Sequence, residues 1–251
     1  MTPLSYQLYS SRKFPPLSQT LHMLAGIGYT QVEGFGGLYA DESALDEMKD
    51  GLSANGLAMP TGHFGLDMVR DQTARVLTIA DVLGVKAVFV PHVAADARPA
   101  DSAGWKAFGA ELARIGAPYW DAGLAFGWHN HDFELVPTAQ GDVPLDLILA
   151  ADPRLALELD VAWVVRGGAD PLAVIARHAG QMLAAHVKDI APAGQNADED
   201  GWADVGHGTM DWPGLVAALK ATKCQYHVME HDNPNDHKRF AERSFAAASA
   251  Y

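Results

Sequence analysis

The stretch DQTARVLTIADVLGVKAVFVPHV, residues 71–93, changes rhythm halfway. As far as Gly84 its apolar residues recur three or four apart, the spacing of one helix face, and the glycine is a stop signal. From Lys86 onward KAVFVPHV is short and almost continuously apolar, the pattern of a strand buried on both faces. Such a strand needs helices covering its sheet, so the two halves together describe one unit of an α/β fold.

The unit recurs along the chain. Apolar runs occupy LSYQLYS (4–10), YTQVEGFG (29–36), LAMPTGHFGL (57–66), LAFGWHNH (124–131), LALELDVAW (155–163), MLAAHVKD (182–189) and YHVMEHDN (226–233). Between them SQTLHMLAGIG, DESALDEMKDGLSANG, WKAFGAELARIGAPYWDAG, PLAVIARHAG and DWPGLVAALKATK have helical spacing, with proline at or near the start of the last two. Eight strand–helix pairs filling 251 residues predict a closed (β/α)8 TIM barrel. The expectation is one domain over residues 1–251, with 190–210 as its one long loop.

Composition narrows the function. Half of the residues are hydrophobic (49%) and a fifth charged (20%), ordinary for a globular enzyme with a sizeable core. With 18 basic against 31 acidic residues, the formal charge of −13 would be repelled by a phosphate backbone, which argues against a nucleic-acid partner. Cys224 is the single cysteine, so no internal disulfide forms, in keeping with a reducing compartment. No basic, apolar leader opens the chain and no run approaches the roughly 18 residues of a spanning helix. These features lead us to expect a cytoplasmic protein without a membrane partner.

In a barrel of parallel strands, chemistry gathers at the C-terminal strand ends. Those ends read Glu33, His63, His92, the group His129–Glu134, Glu158 with Asp160, His186 with Lys188 and Asp189, and Glu230 with His231 and Asp232. The strand starts LAM, KAV, LAF and MLA are apolar. Buried charges are costly unless they pair or hold a cation, so a ring of His, Asp and Glu at one mouth predicts a divalent metal and a polar substrate. Carboxylate and imidazole donors suit Mn, Co, Mg or Zn alike. His63, His92 and His129 stand where they would touch substrate or bond a neighbouring strand. Lys188 shares a face with His186 and so points inward, toward developing oxyanion charge.

These residues also carry a resemblance. WHNHDFEL (128–135) is similar to the fifth-strand motif of the sugar phosphate isomerase/epimerase group, the xylose isomerase-like barrels, and LALELDVAW to its sixth. AAHVKD (184–189) resembles the seventh-strand His-x-Lys-Asp, VGHGTMDW (205–212) the following loop and helix start, and HVMEHD (227–232) the eighth-strand glutamate. The five occur in the family's order over nearly the whole chain. The resemblance implies one divalent metal bound by Asp160, His186 and Glu230. It also implies chemistry on ketoses, polyols or keto-inositols by isomerases, epimerases, dehydratases or lyases.

The chain departs from its relatives on strand five, where Trp128 occupies the position at which ketose 3-epimerases keep a glutamate ligand. That leaves a fourth ligand to be found in His131, Glu134 or water, with Glu158 one repeat deeper as an outer anchor. The resulting expectation is a metal-dependent isomerase or epimerase of a ketose, keto-sugar or polyol-derived substrate acting through an enediolate. Glu230 would be the base, Glu134 or His131 the second proton carrier, Lys188 the oxyanion partner, and Trp128 a substrate contact. The alternatives are a lyase or dehydratase of a keto-inositol or 3-keto-sugar, and a non-catalytic sugar-binding barrel. A homo-oligomer is a further expectation, carried by the resemblance alone.

Overall fold

The apolar runs become eight parallel strands in a computed structural model that describes residues 3–39 and 41–251. They are β1 (Leu4–Gln7), β2 (Gln31–Gly34), β3 (Ala58–His63), β4 (Ala87–Val90), β5 (Ala125–His129), β6 (Leu155–Asp160), β7 (Met182–Val187) and β8 (Tyr226–Met229). Each pairs with its sequence neighbours, and β8 closes on β1 through Leu4 opposite His227 and Tyr6 opposite Met229. The fold is the closed TIM barrel that the alternating periods predict. Every strand is shorter than its apolar run, and the ionisable residues at the strand ends and just beyond them build the mouth.

Helices cover the outside: α1 (Leu17–Ile27), α2 (Glu42–Asn55), α3 (Leu66–Asp71), α4 (Thr73–Leu83), α5 (Ser102–Asp121), α6 (Pro144–Leu149), α7 (Val161–Arg166), α8 (Pro171–His178), α9 (Trp212–Lys220) and α10 (His237–Ala248). Several starts are fixed by acidic caps: Asp41, Asp101, Asp170, Asp211 and Asp236 each accept a backbone N–H of the first turn. Among the described residues no helix is long and apolar enough to cross a membrane.

The core divides into two parts. A continuous cluster between sheet and helices includes Leu21, Val32, Leu112, Leu159 and Leu219. A small one inside the barrel joins Ala87, Phe89, Ala156 and Ala184. The alanines among them leave interior space, and on β6 and β7 the next inward positions toward the mouth, Glu158 and His186, are polar. A register shift between β6 and β7 sets Glu158 level with Ala184 and Asp160 level with His186, bringing two ionisable residues side by side.

After β7 the chain makes a two-stranded antiparallel ribbon, Asp189–Ile190 against Trp202–Ala203, within the expected long loop. The Asp189 carboxylate organises it. Oδ1 accepts the N–H groups of Ile190 (2.8 Å) and Met210 (3.1 Å). Oδ2 accepts those of Gly206 (2.9 Å), Gly208 (3.2 Å) and the Trp212 indole (3.0 Å). Asp189 therefore faces away from Lys188 and serves the loop.

Candidate metal and substrate site at the barrel mouth

Alternation along the strands turns Gln7, Glu33, His63, His129, Glu158, Asp160 and His186 inward, where they meet across the barrel. Glu33 Oε1 accepts from Gln7 (2.8 Å) and lies 2.7 Å from His186 Nε2. On its other side His186 places Nδ1 2.9 Å from Glu230 Oε2. Glu158 Oε2 is 2.5 Å from His63 Nε2 and 3.2 Å from His129 Nδ1. Lys188 Nζ, fully buried, lies 2.6 Å from Asp232, 3.2 Å from Glu230 and 3.5 Å from Asp160.

Local structure explains how these groups are held. Asn130 continues the pairing of β5 with β6 through its side chain: Oδ1 accepts Asp160 N–H (3.0 Å) and Nδ2 donates to Asp160 C=O (3.3 Å). Asp160 Oδ1 caps α7 by accepting Trp163 N–H (2.9 Å), which leaves Oδ2 free of hydrogen bonds and turned to Lys188. The β8 end is tied to the first loop by His231 N–H donating to Ser10 Oγ (3.0 Å) and Arg12 donating to the Asp232 carbonyl (2.6 Å).

Among the described residues, two sets of four ligand atoms lie within 4.8 Å of one another: His129, Asp160, His186 and Glu230 toward the mouth, and His63, His129, Glu158 and His186 deeper. The mouth set contains the three ligands that the family likeness implies. Its fourth member is His129, which the sequence reading put among the substrate contacts. His131 stands outside both sets; its ring lies edge-on to His129 with centroids 5.2 Å apart and contacts Trp163.

Two expectations for WHNHDFEL are corrected. Trp128 is turned to the helical layer, fully buried against Phe108 of α5 (5.3 Å, near-perpendicular), so it is no substrate contact. Its indole donates to Glu134 Oε1 (2.9 Å), and Glu134 Oε2 accepts His131 N–H (2.9 Å). Both Glu134 oxygens are thus engaged in shaping the turn after β5, away from the cavity, and Glu134 is not placed as a proton carrier. Its burial pushes the carboxyl up to about 7.

The cavity above the mouth set has a volume of about 460 Å³ and is lined by Tyr9, Phe35, His63, His92, His131, Glu230 and Asp232 among others. His63, His92 and His129, the candidate substrate contacts, are among its lining residues, with His92 exposed beside Arg98. A larger groove of about 1240 Å³ runs between α1 and α10, but its lining brings no carboxylate–imidazole cluster together. Asp232 and Tyr9 are lining residues that the reading gave no role. The alternation of Glu230 with Asp232 signals the first, and nothing in the sequence singles out the second.

Electrostatics favour a cation. Five carboxylates gather here with one lysine: Asp160, Glu230 and Asp232 lie against Lys188, and Glu33 and Glu158 against His186. Asp160 Oδ2, Glu158 Oε1, Glu33 Oε2 and His129 Nδ1 are buried without hydrogen-bond partners. Burial, helped by the neighbouring charge of Glu158, lifts Glu33 to about 6; burial also lifts Asp160 to about 6 against the pull of Lys188. His186 is driven well above the ordinary imidazole value: burial opposes its charge, but Glu230, Glu158 and Glu33 outweigh it. His129 is lowered to about 3, by burial and then by His186, which keeps its ring neutral. Unpaired buried oxygens beside a neutral imidazole match the donor set of a divalent ion.

Comparison with known proteins agrees with this architecture. The chain belongs to the xylose isomerase-like TIM barrel family, whose model matches residues 21–248. Particular relatives are distant. MocC, a rhizopine catabolism protein of Rhizobium meliloti, is 24% identical over 238 residues, covering 82% of this chain and 71% of its own. The crystal structure of a sugar phosphate isomerase/epimerase from Parabacteroides distasonis superposes with a TM-score of 0.82 at 21% identity, covering 98% of this chain and 93% of that one. The IolI protein with a bound zinc atom superposes with a TM-score of 0.71 at 16% identity, covering 99% and 95%.

Proposed function

We propose that this chain, acting as one domain over residues 1–251, is a divalent-metal-dependent isomerase or epimerase. Its substrate is a ketose, keto-sugar or polyol-derived molecule, and the reaction runs through an enediolate. The observation that carries the reading is the convergence of His129, Asp160, His186 and Glu230 beneath the cavity, with Asp160 Oδ2 and His129 Nδ1 left without hydrogen-bond partners. The family and the isomerase/epimerase from P. distasonis point to the same chemistry.

These four residues would hold the cation, which when bound would polarise a substrate carbonyl as a Lewis acid. Glu230, on the cavity wall, removes the proton from the neighbouring carbon. Lys188 Nζ, 3.2 Å from Glu230, balances the charge that develops on the substrate oxygen. Asp232, bonded to Lys188 and lining the same wall, is placed to return a proton to the substrate. Tyr9 and Phe35, packed edge to face at 5.4 Å, offer apolar surface to the carbon skeleton.

Proton exchange tests the reading. Candidate ketoses and keto-inositols incubated in D₂O with the protein and Mn²⁺, followed by mass spectrometry, should gain deuterium without losing water. Glu230→Gln should abolish the gain. Exchange accompanied by loss of water would assign a lyase instead, and a Glu230→Gln variant that exchanges at the parent rate would remove Glu230 from the chemistry.

A further inference from the structure

The deeper set of ligands is not an extension of the mouth site. Glu158 Oε2 stands 2.5 Å from His63 Nε2, 3.2 Å from His129 Nδ1 and 3.4 Å from His186 Nε2. Ligands at the ordinary zinc bond lengths, arranged tetrahedrally, lie roughly 3.4 Å apart, so only modest movement would gather these four around one small ion. All four side chains are buried, and Glu158 Oε1 has no hydrogen-bond partner. The donors also differ in kind: three imidazoles and one carboxylate below, two imidazoles and two carboxylates above.

We propose that the barrel holds a second cation site, formed by His63, His129, Glu158 and His186, which takes zinc in a closed four-coordinate arrangement. Zinc favours nitrogen-rich tetrahedral sets, whereas manganese and magnesium favour oxygen-rich ones with positions open to water or substrate. The deep set has the first character and the mouth set the second.

The two sites share His129, and His186 stands between them. Its Nε2 faces Glu158 and Glu33 below, while Nδ1 faces Glu230 above. His129 belongs to both sets. His129 offers the same nitrogen, Nδ1, to both sets, and one nitrogen binds one ion at a time, so zinc in the deep site withdraws that ligand from the mouth. The consequence is regulation by metal identity: zinc binds tightly and excludes the oxygen-preferring ion. The exclusion, though not the deep site itself, rests on the mouth site proposed above.

Metal binding tests this without reference to turnover. Zn²⁺ and Mn²⁺ would be titrated into the metal-free full chain, with free Mn²⁺ read by electron paramagnetic resonance. The coordination of bound zinc would be read by X-ray absorption. Zinc should show three imidazole ligands and displace manganese one for one. His63→Gln should weaken zinc by at least about tenfold, the range in which loss of even an outer partner falls, and leave manganese bound. Asp160→Asn should do the reverse.

Zinc with two imidazoles, or a His63→Gln variant with the parent zinc affinity, would overturn the deep site. Should His63→Gln not fold, the imidazole count in the parent protein decides alone. Zinc held by three imidazoles with no manganese bound at all would retain the deep site and defeat the mouth reading instead.

Discussion

Successive residues of a strand point to opposite faces, and for that reason Trp128 and His129 do unrelated work. His129 enters the barrel and joins Asp160, His186 and Glu230, while Trp128 leaves it and packs on Phe108. The indole N–H is the partner of a buried carboxylate oxygen, Glu134 Oε1. Trp128→Phe keeps an aromatic ring against α5 but strands that oxygen, at a cost of about 1–3 kcal/mol. Its Tm should fall by a few degrees, a size set by the chain length. Because Trp128 touches no ligand atom of the mouth, manganese stoichiometry should stay at the parent value. Calorimetry and metal titration on the same sample check both halves. A variant that kept its Tm and lost its metal would return Trp128 to the site.

Among the elements, the loop between β7 and α9 brings an aromatic side chain against Lys188. Trp202 lies buried with its ring centroid 4.3 Å from Lys188 Nζ, and Arg166 stacks on it while donating to the Asp200 carbonyl (2.7 Å). The loop holds this position through Asp189, whose two oxygens accept five N–H groups. Gly208 is the tight point, since a methyl group there would run into Asp189 Oδ1 and the Ile190 carbonyl. Gly208→Ala and Asp189→Asn should therefore loosen the same segment. Glu199 lies within it, so a glutamate-specific endopeptidase should cleave both variants there faster than the parent. Digestion of either at the parent rate would show that Asp189 does not hold the loop. Lys188 and Asp189 are neighbours of opposite charge, yet alternation separates them, sending Lys188 into the barrel and Asp189 into the loop.

At the scale of the whole molecule, the barrel was legible because its strands are buried on both faces and their periods contrast with those of the helices. The ring of ionisable strand ends was legible for the same reason. What escaped depended on contacts between distant elements. The helix α10 buries Phe240, Ala241 and Ser244 on one face of an otherwise polar segment, with Phe245 and Ala248 packed beside them. His178, at the end of α8, is buried with its ring 2.8 Å from Asp146 on α6. His227, on β8, is likewise buried and faces outward from the barrel. Burial, with a smaller push from Lys220, holds its pKa below the ordinary imidazole value. Between that lowered value and about 6.5 the unfolded chain binds a proton that the folded one refuses. The contribution of His227 is therefore intact above about pH 6.5 and is lost as the pH falls toward the folded value. His227→Gln removes this term and leaves the mouth ligands in place. The drop in Tm between pH 7.5 and pH 5.5, followed by calorimetry in matched buffers, should be smaller in the variant than in the parent. An equal or larger drop would mean that His227 is protonated without penalty in the folded barrel, and that its burial against the outer helices is looser than the packing described above.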